Sequence, residues 1–205
     1  MERAYLACEM LGIKYVTAHP ITFAERNCED RYQQERNREY YDRFVEFGIR
    51  HGVGTAFENM TPYLKQQLPY KYCQSYEQLI ELVDSYHDDR VAICWDTGHA
   101  NFMKADQGIA LRAIGRRLKS VHINDNKSEA TRDEHLLPYM GNIDWTTVIN
   151  ALAEIGYEGN MTLESPIGEL TPEPLIETYL RLQYDCAAFL VGEFEAARSR
   201  LKARG

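Results

Sequence analysis

Two hydrophobic periods alternate along this chain. Short apolar runs of strand length are separated by longer segments in which apolar residues recur at helical spacing. The strand-like runs cover residues 14–18, 53–58, 91–95, 118–123 and 159–164. Helices are predicted over residues 4–11, 30–50, 76–86, 106–117 and 145–155, with a long one after Pro174. Strands separated by helices favour a parallel sheet with helices outside it, and no linker-like stretch is present, so we expect one α/β domain over residues 1–205.

Local signals set several of the predicted boundaries. Gly12 and Gly156 follow helical segments and are typical of helix ends, whereas Ser75 and Asp144 are plausible N-caps. The polar segment 124–143 is predicted to be a loop.

Each predicted strand ends on, or just before, a side chain that can bind a metal or move a proton. These side chains are His19, Glu58, Asp96, His122 and Glu164. A doubly wound sheet usually gathers its ligand groups at one crevice, whereas a (β/α)8 barrel delivers them from the carboxyl ends of successive strands. Five consecutive strands with this property therefore favour a TIM-type barrel.

Four of these strand-end residues form a candidate metal site, namely Glu58, Asp96, His122 and Glu164. Three carboxylates and one imidazole suit Mn²⁺, Co²⁺, Mg²⁺ or Zn²⁺, and no thiolate in the set selects a softer metal. Three carboxylates would repel one another unless a cation lay between them. Any one acid has an ordinary alternative, as a helix cap or a partner of a lysine or arginine, but four in register favour a divalent ion.

Further residues lie near the same predicted rim. His99 follows Asp96 by three residues, where the strand is expected to turn into a loop. Three roles are open for it: binding a metal, holding a substrate hydroxyl, or bonding only to backbone. His19 precedes a proline and is the weaker candidate. Asp133 and His135 would point the same way from an extended segment, where they would contact substrate or a further metal, and a purely structural role stays equally open.

Composition narrows the classes of function. The 205 residues carry a formal net charge of −8, which counts against a nucleic-acid binder because such proteins usually present a basic face. No apolar run is long enough to cross a bilayer, the N-terminus lacks a signal-peptide core, and five scattered cysteines fit reduced thiols. We therefore expect a cytoplasmic protein. Cys94 and Trp95 are expected to pack within the barrel, with Trp95 also a candidate wall of the site.

Six motifs, taken in order, resemble a known family. They are LGIKYVTAHP, the ENM of FENM, WDTGHANF, VHINDN, DEHLLPYMGNIDW and MTLESP. Together they resemble the xylose isomerase-like TIM-barrel superfamily, specifically its sugar phosphate isomerase/epimerase branch, over nearly the whole chain. The resemblance implies a divalent-metal-dependent isomerase or epimerase that acts on a sugar or related polyhydroxy carbonyl compound through an enediolate.

The resemblance also implies roles for individual residues. In ketose 3-epimerase-like members, the positions of Glu58, Asp96, His122 and Glu164 hold one divalent ion. The two glutamates also exchange the proton, and the position of His99 contacts the substrate. The same quartet serves dehydratases and lyases, so the class of reaction stays open at this point.

A second branch gives an alternative function. The endonuclease IV family, which cuts DNA at abasic sites with three zinc ions, resembles this chain at eight ligand positions. These are His19, Glu58, Asp96, His99, His122, Asp133, His135 and Glu164. The acidic net charge and the PYMGNID segment in place of a GEG-type turn count against it, so we rank it second.

The resemblance begins part-way into a barrel. LGIKYVTAHP resembles a third strand and its preceding helix, although it lies near residue 1. A complete (β/α)8 barrel takes about 250 residues, so we expect a barrel that lacks its first two strands. Open strand edges would favour homo-oligomers, and an inactive or partner-dependent partial barrel is a third reading. The expected partner is a small sugar, whose identity depends on loops such as 20–35 and 60–75.

Overall fold

A computed structural model of the protein shows one parallel five-stranded sheet with helices packed on its outer face. It describes residues 1–24, 29–62, 70–128, 133–168 and 170–203. The strands are β1 (Tyr15–Ala18), β2 (Gly54–Glu58), β3 (Val91–Asp96), β4 (Leu118–Ile123) and β5 (Met161–Leu163). The α-helices of the described residues are α1 (Glu2–Leu11), α2 (Asp30–Arg50), α3 (Tyr76–Asp84), α4 (Thr97–Phe102), α5 (Gln107–Ile114), α6 (Trp145–Glu154) and α7 (Glu173–Lys202).

The strands follow the order β1-β2-β3-β4-β5, so each one pairs in parallel with its neighbours in sequence. The register staggers the carboxyl ends of the strands by one or two residues: Glu58, the last residue of β2, lies opposite Cys94, and Asp96, the last residue of β3, lies opposite His122. The sheet curls far enough that β1 approaches β4. Helices join successive parallel strands, so the architecture is a half-barrel of the TIM type, which confirms the predicted fold class.

Alternation along the strands separates two layers. In β3, Ile93 and Trp95 point outward into the core shared with the helices, while Ala92 and Cys94 face the inside of the barrel beside Ala56. The outer core is completed by buried side chains of α3, α5 and α6, including Leu79, Leu82, Leu111, Ile114 and Leu152. Because side chains alternate with a period of two, every strand also presents an inner row that leads to the carboxyl rim.

The predicted caps and helix ends are confirmed. Gly12 ends α1 in the left-handed region, with a φ of 70° that a residue without a Cβ adopts at little cost. The Ser75 side chain accepts a hydrogen bond from the Gln78 N–H at the start of α3. Asp144 accepts one from the Thr147 N–H at the start of α6. These bonds satisfy donors that the first turn of a helix leaves without partners.

Several boundaries differ from the predictions, three of them in ways that bear on the architecture. The segment after β3 forms the short helix α4 instead of a loop, because the Asp96 carboxylate accepts a hydrogen bond from the His99 N–H and caps it. The predicted helix 106–117 splits into α5 and a 3-10 turn that begins at Gly115, whose φ of 55° interrupts the α-helix. The last strand is shorter than predicted and is confined to β5.

Two properties of the described residues bear on the predicted environment. None of these helices is long and apolar enough to span a membrane. The thiols of Cys8, Cys73, Cys94 and Cys186 are free, in agreement with the prediction of unpaired cysteines. Cys28 lies outside the described residues.

Candidate metal centre

The four predicted ligands converge at the carboxyl ends of the strands. Glu58 and Asp96 are the last residues of β2 and β3, and His122 lies on the inner face of β4. Glu164 follows β5, where its backbone N–H donates to the Ile123 carbonyl at 2.9 Å and extends the ladder by one residue. One ligand atom from each of the four lies within 4.8 Å of the others. The structure therefore brings the predicted quartet together.

Histidines surround the buried carboxylate of Glu58. The Nδ1 atom of His122 lies 3.2 Å from Glu58 Oε1, and the Nε2 atom of His19 lies 3.1 Å from Glu58 Oε2. The Glu58 side chain is only 2% exposed, whereas that of His19 is 60% exposed, so His19 covers the site from the solvent side. His19, the weaker candidate from sequence, thus joins the same cluster.

Two asparagines, neither of which was predicted from the sequence to belong to the site, hold Asp96 in place. The Asn59 side chain bonds the Asp96 backbone in both directions, accepting from its N–H at 2.7 Å and donating to its carbonyl at 2.9 Å. The Asn124 amide donates to Asp96 Oδ2 at 2.9 Å, and the His99 N–H donates to Oδ1 at 2.6 Å. Asn59 follows Glu58 directly in the ENM motif and Asn124 follows His122 by two residues in the VHINDN motif, which is the signal that could have identified them.

Burial and the neighbouring side chains shift the pKa values of the residues in this cluster. Burial opposes ionisation of Glu58, but hydrogen bonds from His122 and His19 outweigh it and lower its pKa to about 2. The close approach of the His122 ring, at 2.9 Å, lowers the pKa of Glu164. Burial raises the pKa of Asp96 to about 6, since water is excluded from its carboxylate. The pKa of His122 is raised: burial opposes its charge, but Cys94 and the two glutamates outweigh that effect.

A second cluster adjoins the first on its outer side. The Nε2 atom of His99 lies 3.4 Å from Asp133 Oδ2, and the Nε2 atom of His135 lies 3.0 Å from the same oxygen. The Nδ1–H of His99 donates to the Asn59 carbonyl at 2.8 Å, and that of His135 donates to the Glu164 carbonyl at 3.1 Å. Because each Nδ1 has a backbone partner, each Nε2 is directed toward Asp133, an arrangement common in metal-binding histidines.

The backbone conformation at His99 and His135 differs from the prediction. His99 lies in the first turn of α4, not in a loop. His135 has a φ of 48°, so the segment from Asp133 to His135 is not extended and that prediction was wrong. The two side chains nevertheless meet, because the left-handed turn at His135 directs its ring back toward the carboxylate.

A family model for xylose isomerase-like TIM barrels matches residues 1–186. The chain belongs to this family. Its sequence is 25% identical over 178 residues to an inosose isomerase of Bacillus velezensis, covering 83% of this chain and 61% of that protein. The chain therefore spans less than two thirds of the length of this curated relative.

Solved structures of family members superpose on the half-barrel. A D-tagatose 3-epimerase-like protein matches with a TM-score of 0.69 and 25% identity, over 90% of this chain and 68% of that chain. The IOLI protein, whose crystal structure contains a bound zinc atom, matches with a TM-score of 0.72 and 24% identity, over 92% of this chain and 68% of that chain. At 24% identity, the likeness to the IOLI protein shows a shared fold and no more.

Within this family fold, two buried carboxylate oxygens at the rim lack hydrogen bonds among the described residues. They are Glu164 Oε2 and Asp133 Oδ2. Glu164 Oε2 lies 2.9 Å from His122 Nδ1, but one ring N–H cannot align with two carboxylates, and His122 is directed at Glu58. Buried carboxylate oxygens without donors are costly unless a cation neutralises them, so the donor set fits a divalent ion.

Trp95 and two further histidines, His51 and His87, lie away from the rim. Trp95 is on the outer face of β3, where its Nε1–H donates to Gln107 Oε1 at 3.2 Å, so it packs in the outer core and does not wall the site. His51 ends α2 and pairs with Glu9 of α1 at 2.9 Å. His87 is exposed. Neither histidine shares a ligand cluster with the quartet.

Proposed function

We propose that this chain carries the metal-binding and proton-transfer residues of an isomerase or epimerase that acts on a sugar or a related polyhydroxy carbonyl compound. The observation that carries the proposal is the convergence of three carboxylates and an imidazole on one point of the barrel rim. The inosose isomerase and the D-tagatose 3-epimerase-like protein among its relatives support a reaction at a carbon next to a carbonyl group.

In this proposal Glu58, Asp96, His122 and Glu164 hold one divalent ion, with Mn²⁺, Co²⁺, Mg²⁺ and Zn²⁺ all compatible with their oxygen and nitrogen donors. When bound, the ion would polarise the substrate carbonyl and stabilise the negative charge that develops beside it. The bonds from His99 and Asn124 hold both oxygens of Asp96 in place, so that carboxylate is oriented before any ion arrives.

The two glutamates are proposed to move the proton. Glu58 comes from β2 and Glu164 follows β5, so β3 and β4 lie between them and they approach a shared space from different sides. One carboxylate would remove the proton from the carbon next to the carbonyl, giving an enediolate, and the other would return a proton on the opposite face. The lowered pKa values of Glu58 and Glu164 keep both in the ionised form that a base requires.

His19, His99 and His135 are proposed as substrate contacts. They lie around the quartet with partly exposed rings, and imidazole nitrogens can hydrogen-bond the hydroxyl groups of a polyol. Asp133 would orient the two rings that face it.

The proposal is tested by following exchange of a substrate C–H proton for deuterium in D₂O, across a panel of ketoses and inososes, with the Mn²⁺-loaded protein. We expect exchange with at least one sugar and a loss of about 10²–10⁴-fold in Glu164→Gln, as is typical when a proton-transfer residue is removed. Glu154→Gln is the matched control, because Glu154 forms only a surface pair with Arg112. Equal rates in both variants would contradict the proposal.

Abasic-site cleavage remains a second candidate, and the cluster of His99, Asp133 and His135 is the observation that favours it. Their ligand atoms also lie within 4.8 Å of one another, which fits a further ion. A nicking assay with the zinc-loaded protein on an abasic duplex distinguishes the two functions. Under the main proposal the duplex stays intact, whereas cleavage that is lost in Asp133→Asn would favour the endonuclease.

A further inference from the structure

A cysteine lies on the inner face of the barrel, one inward position before Asp96 and opposite Glu58. Cys94 precedes Asp96 by two residues in β3, so both point inward, about 7 Å apart along the strand. The Cys94 thiol contacts the His122 ring and the Ser120 hydroxyl. Its Sγ atom, a carboxylate oxygen of Glu58 and a ring nitrogen of His122 lie within 4.8 Å of one another. The proposed reaction uses the two latter residues and leaves Cys94 without a role.

We infer that Glu58, Cys94 and His122 form a second ion site, deeper in the barrel, that takes a thiophilic divalent ion such as Cd²⁺ or Zn²⁺. Three ligands and one open position are a common arrangement around such ions, with metal–ligand distances of about 2.0–2.3 Å. Ligand atoms within 4.8 Å of one another reach those distances after small side-chain movements.

Charge balance favours a deep position for this ion. One carboxylate and one thiolate neutralise a divalent cation, whereas the three carboxylates of the quartet leave a net negative charge. Cys94 is fully buried and Glu58 nearly so, and a neutral group of charges is the least costly to remove from water. The quartet, by contrast, includes the half-exposed Glu164, which suits a hard, partly hydrated ion.

The two sites share Glu58 and His122 and therefore exclude one another. Binding at the deeper site forms a sulfur–metal bond, and the thiol proton leaves to solvent, with no change in oxidation state. An ion held there withdraws two of the four proposed ligands, including one of the two proton-transfer groups. We therefore expect thiophilic ions to inhibit by displacing the catalytic ion, so the inference concerns regulation by metal identity and goes beyond the proposed reaction.

The test uses metal ions alone. Titration of the protein with Cd²⁺ is expected to produce a thiolate-to-metal charge-transfer band that saturates at one equivalent. The band is lost in Cys94→Ser and retained in Cys8→Ser, a control at a half-buried cysteine on α1. One equivalent of Cd²⁺ added to the Mn²⁺-loaded protein is expected to release the Mn²⁺, seen as the return of its free-ion electron paramagnetic resonance signal.

A second variant keeps the test decisive if Cys94→Ser fails to fold. In Asp96→Asn/Glu164→Gln, the deeper set is intact, so we expect the sulfur band to persist while Mn²⁺ binding is lost. No sulfur band at saturating Cd²⁺, or a band that survives in Cys94→Ser, overturns the inference. Mn²⁺ binding without a sulfur band would reject only this inference, and a sulfur band without Mn²⁺ binding would reject only the proposed function.

Discussion

At the scale of single residues, the orientation of the proposed ligand Asp96 depends on a close contact between Asn124 and Gly98. The Asn124 side chain reaches Asp96 Oδ2 by passing over Gly98 in α4. A Cβ atom on Gly98 would stand 1.7 Å from Asn124 Oδ1, so any side chain there displaces the amide. The glycine of the WDTGHANF motif is therefore required to orient the proposed metal ligand.

We expect Gly98→Ala to weaken Mn²⁺ binding by about 10–100-fold, the range typical when a group that orients a metal ligand is lost. Asn124→Ala should have the same effect, and the double variant should be no worse than either single one, since both act through the Asp96 carboxylate. Isothermal titration calorimetry with Mn²⁺ measures the three affinities. Gly192→Ala on α7 is the control, because a Cβ at that position meets no atom within 4 Å.

A pH dependence follows from His135. Its close pairing with the Asp133 carboxylate, at 3.0 Å, raises its pKa from 6.5 to about 9. A pKa that is higher in the folded state stabilises the fold fully below about pH 6.5, and the contribution is lost as the pH rises through about 9. We expect the free energy of unfolding of the ion-free protein to fall over this window by about 2 kcal/mol more than in His135→Gln, after allowance for solvent screening. Denaturant titrations at several pH values measure it, and parallel curves for the two proteins would contradict the assignment.

At the scale of elements, the sequence predicted the strands well and the connections less well. The bounds of β4 agree with the prediction, and the inward strand-end residues converge because parallel strands end at one rim. Helix α4 was missed since it spans only six residues, too few for a helical period to show. The turn at His135 was also missed, because its positive φ depends on contacts with Asp133 and the Glu164 carbonyl that are remote from any local pattern.

Asp96 is both a helix cap and a proposed metal ligand, and the two roles can be separated. In Asp96→Asn the side-chain oxygen can still accept from the His99 N–H, and asparagine is as good an N-cap as aspartate. The Asn124 amide can turn over so that its oxygen, which has no hydrogen bond within the described residues, accepts from the new NH₂ group. The substitution also removes a buried charge, so we expect the ion-free protein to keep or gain stability while Mn²⁺ affinity is lost. Thermal unfolding with and without Mn²⁺ checks both effects.

Ser75→Ala is expected to have the opposite effects, a loss of stability with unchanged Mn²⁺ affinity. It removes the cap of α3, which lies away from the rim, and should destabilise the protein by about 1 kcal/mol. Its Mn²⁺ affinity should match that of the unmodified protein. A loss of Mn²⁺ affinity in Ser75→Ala would show that fold stability and metal binding cannot be separated in this protein.

At the scale of the whole molecule, the open sheet and the last helix leave surface for association. Within the described residues, β1 and β5 each have one edge without a strand partner. On α7, Leu175, Leu182 and Phe189 recur at intervals of seven residues along one flank and are 54%, 40% and 59% exposed. Unpaired edges and a contiguous apolar flank are both features that other chains cover.

We expect this chain to self-associate, and we expect the flank of α7 to contribute. Sedimentation velocity over a range of protein concentrations should show species larger than the monomer. Leu182→Lys/Phe189→Glu should shift the distribution toward the monomer, whereas Glu195→Lys, on the same helix at a position outside the flank, should not. A monomer at every concentration would contradict the prediction.

The order of the strands decides when the site comes into existence during synthesis. Glu58, Asp96 and His122 lie on three adjacent strands that pair with their sequence neighbours, so a nascent chain that has released β4 from the ribosome already contains three of the four proposed ligands. Only the emergence of Glu164, after β5, completes the proposed set. If the proposed site takes up its divalent ion at that stage, the ion would tie β2, β3 and β4 together before α7 has been made and would act as a folding template.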